Sequence, residues 1–333
     1  MTSQRTSICI ALFCVAAFAE SLWAARPPES DPGLSNREIT KALDAGNYAK
    51  ASEDLHKLLS QNPKDAQATL RLARCYWDLG DYNQAVNYAE RAVNLAPDCA
   101  ECHLWLGRAY GLKADKSRSI LLARKCREEF QTAVRLDPNN LFARRDLMEF
   151  YLEAPWFLGG SKEKAWAQVE DIASRDHVEG HLVRADYWRE VDQPLRAAQE
   201  YQEVLKLRPK HVEPYFQVAD FYESKGNAEQ LEAVVHAASL IGPNDPRLAY
   251  YRGVARVLDG RQLAEAEQYF KEYLSRAPWR EDFPPHAAAH DWLGRIYERW
   301  GKMQDAIQQY KAALHLSPDN QTAQDRLHRL ESN

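Results

Sequence analysis

The chain has 333 residues and a formal charge of −5 at pH 7, from 43 basic and 48 acidic side chains. Without a basic surplus, nothing in it points to nucleic acid. With 14 glycines and few β-branched runs it is too poor in strand and turn signals for a β-sandwich, and it is too long for one small domain.

The N-terminus reads MTSQRTSICIALFCVAAFAESLWAARPPES. Arg5 is the only charge before an apolar run from Ile8 to Ala19, and Ala17-Phe18-Ala19 offers small residues at the two positions a signal peptidase reads. This pattern predicts a signal peptide over 1–19, followed by a linker over 20–31. Phe13 is too bulky for a lipoprotein cleavage site before Cys14. The run is too short to span a membrane, no later run is longer, and Arg26-Pro27-Pro28 breaks any helix. The expectation is export, to the periplasm or to the secreted space. Cleavage removes Cys9 and Cys14, leaves Cys75, Cys99, Cys102 and Cys126, and takes the charge from −5 to −6 through loss of Arg5.

The remainder repeats. AQATLRLARCYWDLGDYNQAVNYAERAVNLAPD (66–98), AECHLWLGRAYG with EEFQTAVRLDPNN (100–140), and AAAHDWLGRIYERWGKMQDAIQQYKAALHLSPDN (287–320) share a pattern. Each has a Leu-Gly or Leu-Ala pair, a Tyr three residues on, then spaced Ala and aromatic residues, and a Pro. Prolines fall at 63, 97, 138, 209, 243, 278 and 318, so that 63 to 97 and 209 to 243 span 34 residues and 243 to 278 spans 35. In the last copy Leu293, Gly294 and Tyr297 share one helix face, and Ala306, Tyr310 and Ala313 share another at i, i+4, i+7. Gly294 and Ala306 let two helices approach, Gly301 ends the first helix and Pro318 stops the second.

Over 32–320 this pattern resembles the tetratricopeptide repeat family. The resemblance implies an all-α fold, a right-handed superhelical solenoid of about eight helical hairpins with a concave groove, because one hairpin cannot bury its apolar face alone. The repeats are 32–65, 66–99, 100–140, 141–177, 178–211, 212–245, 246–280 and 287–320. WREDFPP (279–285) connects the last two, and 321–333 reads as a capping helix with Leu327 and Leu330 inward. The first repeat is degenerate, with Glu38 and Ile39 in place of Leu and Gly.

Two repeats break the period. The interval from Pro97 to Pro138 is 41 residues, and the extra seven fall between Gly111 and Lys125, which predicts a basic hairpin tip or longer helices. The fourth repeat carries YLEAPWFLGGSKEKA, where Pro155, Gly159 and Gly160 enforce a loop around Trp156, Phe157 and Leu158. RRDLMEFYLEAPWFLGGSKEKA is similar to a subgroup of bacterial exported tetratricopeptide proteins with an AP-x-x-x-GG-x-x-KA loop, and to the periplasmic tetratricopeptide component of TRAP-type transporters. The first implies a scaffold that binds other proteins, the second a solute-binding protein as partner. The three apolar loop residues either fold back over Ile120, Leu121 and Leu122 or stay exposed as a partner contact.

CAECH, Cys99 to His103, matches the c-type haem attachment signature. The repeat nevertheless runs through it in phase: His103 takes the place of a large packing residue, and Leu106, Gly107 and Tyr110 follow on schedule. Met148 and Met303, the methionines other than Met1, include no evident axial ligand. A packed helix start with a local disulfide, or two thiols, is expected at Cys99 and Cys102, with covalent haem at Cys99, Cys102 and His103 as the alternative. No βαβ pattern surrounds the motif, so a thioredoxin fold is not expected. Cys75 and Cys126 sit on packing positions. His286 and His290 (HAAAH) share a helix face but lack a catalytic Glu and a third ligand, so they read as core histidines and no metal is expected. No phosphate loop or catalytic triad is evident, and no enzyme activity is expected.

In the family, the groove is lined from each first helix. Mapped here, the resemblance implies a partner-binding surface of Leu70, Arg74, Trp77, Leu104, Arg108, Phe142, Arg145, Glu149, Phe216, Asp220, Glu223, Tyr250 and Arg295. Aromatic residues mixed with arginine suit a protein or peptide partner, and Arg74, Arg108 and Arg145 in successive repeats can hold an acidic segment.

Overall fold

The computed structural model describes residues 34–280 and 282–332. The expected signal peptide and linker lie outside the described residues.

Seventeen α-helices and one 3₁₀ turn, with no strand, make up the regular structure of the described residues. They pair as α1 (Leu34–Asp44) with α2 (Tyr48–Gln61), α3 (Ala66–Asp78) with α4 (Tyr82–Leu95), α5 (Ala100–Ser117) with α6 (Ile120–Leu136), and α7 (Leu141–Glu153) with α8 (Lys162–Ala173). Next come α9 (His177–Glu190) and α10 (Pro194–Lys206), then α11 (Glu213–Ser224) with α12 (Ala228–Ile241), α13 (Arg247–Asp259) with α14 (Leu263–Arg276), and α15 (His286–Arg299) with α16 (Met303–Leu316). α17 (Gln321–Glu331) follows alone. No helix among the described residues is long and apolar enough to cross a membrane.

The chain divides into two compact units, one ending at Glu200 and the other starting at Tyr201, the division falling inside α10. In the first unit each second helix packs on the first helix of the next hairpin: α2 on α3, α4 on α5, α6 on α7, α8 on α9. In the second unit α12 packs on α13, α14 on α15 and α16 on α17. Starts are capped by short polar side chains. Asp65, Asn140, Asp176 and Asn320 each accept the N–H three residues on, satisfying a donor that the helix leaves without a partner.

Close approach within a hairpin is set by small residues facing rings. A Cβ on Gly294 would stand 2.5 Å from a ring carbon of Tyr310, and one on Gly107 equally close to Phe130. Gly301 serves the backbone instead: its φ is +70° and a Cβ there would meet nothing within 4 Å, so the left-handed turn alone calls for glycine.

The seven residues added in the third repeat lengthen its helices. α5 has 18 residues and α6 has 17, against 13 in α3 and 14 in α4, with Arg118 at φ 51° making the turn. The fourth repeat keeps short helices and builds a loop. α7 ends at Glu153 with Ala154 as its C-cap, just before Pro155, since proline has no N–H to continue the helix. The loop then closes on itself: Leu158 N–H donates to Pro155 O (2.9 Å), Gly160 N–H to the same oxygen (3.1 Å) and Ser161 N–H to Tyr151 O (2.8 Å). A Cβ on Gly160 would fall 1.7 Å from the Ala154 carbonyl oxygen, so only glycine fits there. Arg127 of α6 donates to Leu158 O at 2.6 Å and fastens the loop to the longer helix.

The three apolar loop residues part ways. Leu158 is 2 % exposed, Phe157 45 % and Trp156 85 %. Leu158 is therefore corrected from a contact residue to core, while Trp156 and Phe157 lie edge to face at 5.9 Å in the open. Ile120 and Leu121 are themselves exposed, so of the two fates open to the loop Trp156 and Phe157 take the exposed one and only Leu158 the buried one.

α17 docks on α16 through Ala323, which is fully buried, with Leu327 and Leu330 half-buried beside it. Arg326 and Arg329 of α17 both donate to Glu298 of α15, at 2.8 and 2.7 Å.

Candidate interaction surface

The first helices carry the residues expected to line a groove, and the structure places most of them inward. Leu70, Trp77, Leu104, Arg108, Arg145, Phe216 and Tyr250 are all buried. As groove-lining residues these seven are corrected: stacking of successive hairpins covers positions that a single hairpin would leave open. Arg74, Phe142, Glu149, Glu223 and Arg295 are half-buried and Asp220 is exposed.

The three arginines of the first unit form a ladder between neighbouring first helices. Arg74 of α3 pairs with Glu101 of α5 at 3.7 Å. Arg108 of α5 grips Asp146 of α7 with two hydrogen bonds, at 2.6 and 3.2 Å, both side chains being buried. Arg145 of α7 pairs with Asp186 and, at 3.4 Å, with Glu179, both on α9. The Trp105 ring lies between the guanidinium groups of Arg74 and Arg108, 4.6 and 4.7 Å from its centroid. Each arginine is thus neutralised by the next repeat, and the expectation that the row holds an acidic segment is corrected.

The acids around that ladder are in excess. Burial pushes the Glu149 carboxyl well up, and the charge of Asp146 adds to it, against the pull of Arg145. Burial, with Glu190 and Asp115, pushes Glu153 up to about 8, and one of its oxygens is buried without a hydrogen-bond partner. Burial also raises Glu179, which Arg145 opposes. Burial opposes the charge on Arg145, but Asp186, Glu179 and Glu149 together hold its pKa above the ordinary arginine range. Sequence reasoning missed Asp146, Glu153, Glu179 and Asp186. The spacing of Arg145, Glu149 and Glu153 along one face of α7 was the available signal.

In the second unit the expected residues form a packed cluster. Phe216 stacks on Tyr251 at 5.4 Å, beneath the guanidinium of Arg247 at 4.2 Å. Glu223 accepts from Tyr250 Oη at 2.9 Å and from Trp292 Nε1 at 3.2 Å, and burial together with Asp220 lifts its carboxyl to about 7. Asp220 accepts from Tyr251 Oη at 2.5 Å. Arg295 pairs with Asp291 at 2.7 Å and covers the Trp292 ring at 4.1 Å.

At CAECH the sulfurs of Cys99 and Cys102 are bonded. His103 is buried, its Nε2 donating to Pro97 O at 2.9 Å and its Nδ1 lying 2.5 Å from Glu129 Oε2. Both sulfurs and both ring nitrogens of the motif are engaged within the fold. His286 is buried against the Trp279 ring at 4.0 Å, and burial lowers its pKa; His290 Nδ1 meets Gln309 Oε1 at 2.8 Å. Cys75 and Cys126 are buried thiols, and burial raises Cys126 well above the usual thiol range. Among the described residues, no three His, Cys, Asp or Glu side chains are grouped to hold a metal ion.

Residues 42–109 and residues 279–321 each match a tetratricopeptide-repeat family model. These two stretches are tetratricopeptide repeats. Among solved structures, that of the APC/C hetero-tetramer Cut9-Hcn1 is similar over 89 % of this chain and 55 % of that one, at 15 % identity and a TM-score of 0.50. This chain therefore spans about half of that relative, and the likeness is one of fold. A tetratricopeptide repeat protein from Parabacteroides merdae ATCC 43184 covers 80 % of this chain and 99 % of its own, at 16 % identity and a TM-score of 0.49. MamA covers 52 % and 88 % at 19 % identity and 0.39. No curated protein matches the sequence. For the tetratricopeptide repeats here, the pairing of helices and the Gly-to-ring contacts are the physical content of the match.

Proposed function

We propose that this tetratricopeptide chain is a non-enzymatic interaction scaffold, exported to the periplasm or the secreted space, that binds a segment of a partner protein along the first helices of its N-terminal unit. One observation carries the reading. Arg108 and Arg145 are already neutralised within the fold, while Glu149 and Glu153 are held in a setting that disfavours their charge. A lysine or arginine from a partner would relieve that penalty, so the segment recognised is basic. Half-buried Phe142 and Leu152 beside these acids supply apolar contact.

The test is titration of the full exported chain with a Lys/Arg-rich peptide and an Asp/Glu-rich peptide of equal length at pH 7.5. The basic peptide is expected to bind, with about tenfold loss in the Glu149→Gln, Glu153→Gln double variant, the scale of one charge-assisted contact. Preference for the acidic peptide overturns the reading. N-terminal sequencing of protein recovered from the periplasm, expected to begin at Glu20, tests export separately. A narrower reading, with a solute-binding protein as partner, is supported by the exposure of Trp156 and Phe157 on the Gly159–Gly160 loop.

A further inference from the structure

The Cys99–Cys102 bond lies at the start of α5, and its surroundings are asymmetric. Cys99 is the residue that caps the helix: its backbone is extended and its Sγ accepts the N–H of Cys102 at 3.1 Å. The neighbouring first helices α3, α7 and α9 use Asp65, Asn140 and Asp176 for the same task. Sulfur is a poor acceptor when neutral and a good one as a thiolate, so this cap strengthens when Cys99 carries charge. The helix N-terminus acts in the same sense, placing partial positive charge at that sulfur. Cys99 is half-buried, whereas Cys102, one turn on, is 0 % exposed. The next residue, His103, is pinned between Pro97 O and Glu129, which holds the start of α5 in place. Glu101, the acid nearest in sequence on α5, is drawn off by Arg74.

We propose that Cys99 and Cys102 form a thiol–disulfide exchange site that takes electrons from the paired thiols of a polypeptide. A substrate thiolate attacks Sγ of Cys99, the less buried of the two cysteines; the Cys99–Cys102 bond breaks and its electron pair goes to Cys102 Sγ, which takes up the proton that the second substrate thiol gives up on ionising. The second substrate thiolate then attacks the substrate sulfur of the mixed disulfide, forming the substrate's own disulfide and releasing Cys99 as a thiolate. That leaving thiolate is received by the Cys102 N–H and the helix N-terminus. Two electrons pass from dithiol to protein disulfide, and the reaction balances without a further oxidant. Reactivity here follows from position at a helix start and does not require a thioredoxin fold.

The experiment uses the oxidised full exported chain and a synthetic peptide bearing two cysteines, with products identified by mass after acid quench and alkylation. One peptide disulfide is expected to form per chain, with Cys99 and Cys102 becoming alkylatable, at least about tenfold faster than with oxidised glutathione at equal concentration. Cys102→Ser is expected to trap a mixed disulfide through Cys99 when offered the oxidised peptide, and Cys99→Ser is expected to trap none. Thermal unfolding followed by circular dichroism establishes that both variants are folded. A rate no greater than that of glutathione overturns the proposal, as does a trap that forms through Cys102 or not at all in a folded Cys102→Ser chain.

Discussion

At the scale of single residues, burial separates neighbours that composition treats alike. Trp156, Phe157 and Leu158 are consecutive and apolar, yet only Leu158 reaches the core, because the 3₁₀ turn after Pro155 points one side chain in three inward. Leu158→Ala is expected to lower stability by about 2–5 kcal/mol, the usual cost of emptying a buried leucine site. Trp156→Ser is expected to change melting by less than about 0.5 kcal/mol, since its side chain is already in solvent. Chemical unfolding of the two variants side by side checks this, and equal losses would show that the loop is packed otherwise. The arginines teach the same lesson. Arg108 and Arg145 were legible as residues of the first-helix face, but their partners stand 38 and 41 residues away, at Asp146 and Asp186, and no local pattern marks those pairings.

At the scale of the element, α7 concentrates carboxylates that the fold would rather keep neutral. Glu149 and Glu153 have raised pKa values, the latter about 8, through burial first and neighbouring acids second. In the unfolded chain both titrate near the ordinary glutamate value, about 4.3. Between the two values the folded state holds protons that the unfolded state releases, so stability falls as pH rises. Melting temperature is expected to decline from pH 5 to pH 8, and the Glu149→Gln, Glu153→Gln variant to flatten the decline. A melting temperature that climbs over this range in the parent chain contradicts the placement of these side chains. The longer α5 and α6 were legible as seven extra residues. That they extend helices, and do not form a loop, was settled by an unbroken apolar face reaching Ala114 and Ala123, both buried.

At the scale of the whole molecule, each hairpin depends on a neighbour to cover it. Removing 287–332 would uncover Phe270 and Tyr273, now fully buried, and would delete the Trp292 donor to Glu223. The shortened chain is expected to stay largely helical by circular dichroism but to aggregate in size-exclusion chromatography. A monomer with unchanged melting would mean that α15 to α17 do not cap the second unit. The sequence by itself determined the helices, their turns and their pairing. Prolines near every 34th residue, a glycine at the turn and small residues spaced to meet rings act over a few residues of chain. Tertiary structure alone decided which faces stay open, which charges are neutralised, and which cysteine of CAECH is fully buried. Those depend on how one hairpin is offset against the next, and that offset is fixed by many side chains packing at once, none of which encodes it alone.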